Sequence, residues 1–133
     1  MIFKSKKYPL PKFPDDVAPK FHGFCEELPD ERVAEFIPEV REVVKHFGGL
    51  AQKFPMLDMH RVQQLGQVCI ELLRIYPEHE AADKKLIVGA VRYFASTDDA
   101  ISETAFASGL DDDARVMNHV LEQVGREDLI IDL

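Results

Sequence analysis

The sequence predicts an all-α fold, an irregular bundle of four to six helices behind a proline-rich N-terminal arm. Apolar residues recur at three and four positions along most of the chain, the spacing of a helix with one buried face. No useful length of period-2 alternation appears, so a sheet has little support. With 133 residues, 46% hydrophobic and 30% charged, the chain has the size and composition of one domain around one core.

Residues 1–14 read as a basic, extended arm, and residues 15–133 as a single helical domain. Pro9, Pro11 and Pro14 remove backbone donors and bias their predecessors toward extended geometry. Lys4, Lys6, Lys7 and Lys12, with no acid among them, give the arm a charge of +4. The rest of the chain holds twelve bases against twenty-four acids, or −12, within a net charge of −8. Such an arm is expected to fold against its own acidic body, packing through Phe3, Tyr8 and Phe13. The segment Pro11-Lys-Phe-Pro14 also matches the bare PxxP pattern, a weak signal for an SH3-type ligand.

A short helix carrying Val17, Phe21 and Phe24 is expected after Asp15-Asp16, with Pro19 near its first turn. Leu28-Pro29-Asp30 then stops one element and caps the next. Val33, Phe36, Ile37, Val40, Val43, Val44 and Phe47 follow at helical spacing, and Gly48-Gly49 supplies a C-terminal stop. Pro38 interrupts this stretch and predicts a kink or two helices meeting there. The clearest helix spans 58–76. Asp58 caps it, Val62, Leu65, Cys69, Leu72, Leu73 and Tyr76 form its inward face, and Pro77 ends it. Another begins near Glu80 and turns Leu86, Ile87, Ala90, Val91 and Phe94 inward. A last helix beginning near Asp111 carries Ala114, Met117, Leu121 and Val124 and stops at Gly125. The tail from Asp128 to Leu133 suits an extended strand or a helical turn.

Charge and motifs exclude several functions. A −12 body repels a phosphate backbone at long range, so general nucleic-acid binding is disfavoured. No apolar run approaches the roughly 20 residues a spanning helix needs, and the start lacks the apolar run of a signal peptide. A soluble cytoplasmic protein is the expectation, with peripheral membrane association left open. Cys25 and Cys69 fit that compartment as free thiols, and neither CxxC nor Cys/His pairs at zinc spacing occur. There is no GxSxG elbow, no GxxxxGK[ST] loop and no GxGxxG after a strand. These absences lower the prior for an enzyme.

One stretch carries a family pattern. Tyr93-Phe-Ala-Ser96-Thr-Asp-Asp99-Ala-Ile101-Ser-Glu103, followed by Gly109-Leu-Asp-Asp112-Asp113, keeps the order of a tyrosine-ended helix, a Ser-Pro-x-Asp-x-Ile-Pro-Asp stretch, then a glycine and two aspartates. Lys84 to Gly125 therefore resembles the YkvA-like bacterial family, known as domain of unknown function 1232. Thr97, Ser102 and Phe106 stand where that family usually has prolines, and Glu103 replaces an aspartate. The resemblance implies a helical hairpin with an acidic turn, and it implies no activity.

Between Asp98 and Asp113 stand Asp98, Asp99, Glu103, Asp111, Asp112 and Asp113, with no base among them. Carboxylates gathered by a turn raise one another's pKa or attract a hard cation. Asp99, Glu103, Asp112 and Asp113 are the candidate ligands for Mg²⁺ or Ca²⁺, although the EF-hand pattern is absent. The competing explanation is capping: Ser96 or Thr97 starts one helix and Asp111 the last, with the other acids against the positive dipole ends. His79 with Asp83, and Arg115 with His119, share helix faces at i,i+4 without a third ligand. His46 suits the negative end of its helix. The expected function is a non-enzymatic interaction or structural module that binds a protein partner or its own copies. The alternative is a divalent-cation-binding protein, including a metal-dependent hydrolase, that uses the acidic turn.

Overall fold

Helix α4 (Met59–Ile75) forms the centre of the core, and its sequence shows why. The Asp58 carboxylate accepts the Arg61 N–H at 3.1 Å, satisfying one of the free donors at the helix start. Val62, Leu65, Cys69, Leu72, Leu73 and Tyr76 are all buried, the face expected from their spacing. Pro77 falls in the 3₁₀ turn Tyr76–Glu78 that follows.

Around α4 stand α1 (Val17–Phe24), α2 (Asp30–Ala34), α3 (Phe36–Lys53), α5 (Ala81–Ala100) and α6 (Phe106–Gln123). This computed structural model describes residues 7–100 and 106–133, with side chains described for 7–96 and 110–133. Among the described residues there is no strand. The protein is all-α. No described helix is long and apolar enough to cross a membrane. α3 packs on α4, α5 on α6, and α1 on α5, so one core joins all five longer helices.

The break expected at Pro38 lies earlier, at Glu35, between α2 and α3. Pro38 is the third residue of α3, where a missing N–H costs little. The carbonyl it would have bonded is that of Ala34, the last residue of α2. Two helices therefore meet one turn before the proline. Gly48-Gly49 does not stop α3, which runs on to Lys53. Glycine ends a helix well when it turns to positive φ, and among the described residues only Gly125 does so. The actual stop is Phe54, held out of the helical region before Pro55.

Two glycines allow close helix approach. A methyl group at Gly89 would lie 2.5 Å from the Cys25 sulfur and 2.9 Å from Phe21 of α1. At Gly66 it would lie 2.6 Å from Val44 of α3. The linker between α1 and α2 is fixed from α5 and the end of α4. Arg92 donates to the Phe24 carbonyl at 3.2 Å and pairs with Glu26 at 3.0 Å. Tyr76 holds the backbone of Leu28.

Helix α6 begins at Phe106, five residues before the expected start at Asp111. Asp111, Asp112 and Asp113 thus lie inside the helix and do not cap it. Likewise α5 continues through Ala100, so no new helix starts at Ser96. Its hydroxyl instead donates to the Tyr93 carbonyl at 2.8 Å. The stop at Gly125 holds. With φ at 78°, Gly125 lets Arg126 N–H reach the Leu121 carbonyl at 2.8 Å while its own N–H reaches Glu122. This pair of bonds is a Schellman ending.

Candidate functional site

Three consecutive acids on α6 differ in exposure and partners, since neighbouring helical residues are set about 100° apart. The Asp111 carboxylate accepts from Arg61 of α4 at 3.1 Å, and Arg61 also donates to the Asp132 carbonyl at 3.2 Å. Asp112 faces Arg115 and the connector from Pro11 to Pro14 across a hollow of about 460 Å³. Burial holds its carboxyl above the usual range; Arg115 pulls it back, and Asp111 and Asp16 push it further up. Asp113 is buried in the core. Burial first, then the charge of Asp113, raises the Cys69 thiol and the Tyr93 hydroxyl well above their ordinary values.

Of the four candidate cation ligands, Asp112 is half-buried and Asp113 buried, at neighbouring positions of α6. The side chain of Asp99 and all of Glu103 lie outside the described residues. Among the described residues, no group of three or more His, Cys, Asp or Glu side chains is placed to hold a metal ion. His79 and Asp83 do meet, at 3.2 Å. Cys25 and Cys69 are free thiols.

Further along α6 the helix does something composition did not suggest. Asn118, 1% exposed, accepts the Ile131 N–H at 2.8 Å and donates to the Ile131 carbonyl at 2.9 Å. This fixes the tail in an extended course and buries Ile131. Glu122, 4% exposed, accepts the backbone N–H groups of Lys7 at 3.0 Å and Tyr8 at 3.3 Å. His119 Nδ1 lies 3.0 Å from the Tyr8 carbonyl. A carbonyl only accepts, so this nitrogen carries the proton. Three side chains of one helix thus hold the main chain of both terminal segments.

Among the described residues the arm is held through the backbone amides of Lys7 and Tyr8, and Glu122 supplies the charge in a charge-assisted bond. Phe13 does not pack as expected: it is 84% exposed. Tyr8 and Leu10 are half-buried, and Phe3 lies outside the described residues. Sequence reasoning missed Asn118 and Glu122. The available signal was their i,i+4 row with Ala114, which carries two polar residues along a predicted inward face.

An open groove lies elsewhere, where α4 meets α3 and the tail, with a volume of about 540 Å³. Arg41, Gln64, Gln67, Ile70 and Arg74 line it from the helices, and Leu129 and Ile130 from the tail. An adjoining hollow of about 340 Å³ shares Arg41, Gln67 and Ile70 and extends to Gln63. The charges here are largely matched. Arg74 pairs with Glu71 at 3.0 Å, and Arg126 with Asp128 at 2.9 Å. Arg41, Gln63 and Gln67 are exposed, and Gln64 is half-buried. A scan against protein-family models and searches of curated proteins and of solved structures found no match to this chain.

Proposed function

We propose that the protein is a non-enzymatic interaction module, and that the groove over α4 is where it takes a segment of a protein partner. The observation that carries this reading is the groove's lining: an apolar floor at Ile70, three amides, and the guanidinium of Arg41 with no ion pair among the described residues. Amides offer donors and acceptors together, and arginine at a concave, partly apolar surface is characteristic of interface centres. Matched local charge makes this face approachable on a chain of net charge −8. A main-chain carbonyl or a carboxylate of the partner would satisfy Arg41.

The resemblance of Lys84–Gly125 to the YkvA-like family is part of the same proposal. It is supported by the packing of α5 against α6. A cytoplasmic location fits the lack of a spanning helix among the described residues. The cation-binding alternative draws only on the acidic composition of residues 98–113.

The test is a comparison of the intact chain with a Gln67→Glu, Ile70→Glu variant as bait in an extract of the source cells. Gln67 is exposed and Ile70 half-buried against the core, so circular dichroism and thermal melting must first show that the variant is folded. A specific protein retained by the parent and lost by the variant is the expected result. Identical retention by both would remove the groove from the reading. A rise of several degrees in melting temperature with millimolar Mg²⁺, Ca²⁺ or Mn²⁺ would favour the alternative.

A further inference from the structure

The hydrogen bonds that α6, as the arm's seat, makes to residues 7 and 8 all go to main chain. Glu122 takes the N–H groups of Lys7 and Tyr8, and His119 donates to the Tyr8 carbonyl. No arm side chain takes part in these bonds. The same residues of another copy would be held equally well. We propose that the arm is exchanged between two copies, each laying residues 7–10 on the other's α6 in a symmetric dimer.

The segment joining the arm to α1 is suited to opening. Pro11 and Pro14 stiffen it toward extended geometry and remove two donors. Among the described residues, the connector's backbone is bonded to α1 from Val17 N–H to the Pro14 carbonyl. A hollow of about 430 Å³ is lined by residues 7–12 together with Arg115, Asn118 and Leu133.

Exchange leaves the bonds at the seat unchanged, so the balance is set by the connector, the general condition for swapping an element between protomers. Phe13 lies within that connector and is 84% exposed in the closed chain. Two connectors crossing in opposite directions bring the two Phe13 rings to a shared surface and cover them. This is the new contact the dimer gains. Against it stands repulsion between two copies of charge −8, which salt screens over about 8 Å at physiological strength. Dimerisation should therefore increase with salt.

The test uses the full chain. Sedimentation velocity from micromolar to millimolar concentration should show a dimer, more abundant at physiological than at low salt. For the exchange itself, a nitroxide is attached at Lys12→Cys in a Cys25→Ser chain. Lys12 borders the hollow beside Asp112 and Arg115. This chain is refolded together with an isotope-labelled chain lacking the nitroxide. Broadening of the labelled chain's amides between Asp112 and His119 is expected. Phe13→Ser should reduce the dimer several-fold with the monomer's melting unchanged. A chain that stays monomeric at millimolar concentration, a dimer without that broadening, or a dimer indifferent to Phe13→Ser would each overturn the proposal.

Discussion

Tyr76 and Leu28 exchange two hydrogen bonds: the phenol donates to the Leu28 carbonyl at 2.6 Å and accepts the Leu28 N–H at 2.8 Å. One fully buried hydroxyl thus satisfies both backbone groups of a residue 48 positions away. Tyr76→Phe keeps the ring and leaves both groups of Leu28 without this partner. The variant should lose about 1–3 kcal/mol. Urea unfolding measures it, and a loss below about 0.3 kcal/mol would show that water replaces the hydroxyl freely.

Leu72 lies fully buried in the centre of α4. Leu72→Ala should cost about 2–5 kcal/mol, as large-to-small changes in a packed core do. An unchanged denaturation midpoint would contradict the burial assigned to this face.

Gly89 faces Cys25 and Phe21 at distances no methyl group tolerates. Gly89→Ala should destabilise by about 1–3 kcal/mol through overpacking, despite alanine's better helix propensity. Adding Cys25→Ala should restore part of the loss, since the sulfur is the nearer obstacle. A double-mutant cycle with no coupling between the two positions would count against this close approach.

Asp112 gives a pH test. Burial holds its carboxyl above the ordinary 3.8. The folded chain then keeps this proton to higher pH than the unfolded chain. The resulting contribution to stability is complete below the ordinary value and lost as pH rises through the folded one. Asp112→Asn removes that loss. Its melting temperature should equal the parent's in acid and match or exceed it at neutral pH. Lower melting at neutral pH would mean that the ionised group has a stabilising partner, as a bound cation would provide.

Much of this was legible in the sequence, and the misses have physical causes. The face of α4 followed from spacing alone, because a helix buried along one side must repeat every three to four residues. Gly48-Gly49 misled because packing of Leu50, Ala51 and Phe54 against the core continues α3 past two poor helix formers. The acids at 111–113 suggested a helix start, but Asp111 is engaged by Arg61, fifty positions earlier in the chain. The roles of Asn118 and Glu122 depend on terminal segments reaching α6 from opposite ends of the sequence. Such pairings leave no local pattern, so residue type alone could mark these positions only as unusual.

Lys7 and Glu122 are 115 residues apart, so their bond closes a ring around almost the whole chain. A ribosome delivers the first end long before the second. Throughout synthesis the lysine-bearing leash is already outside while the helix that fastens it does not yet exist, and fastening must be among the last acts of folding. A nascent chain therefore spends most of its early life with its head untied.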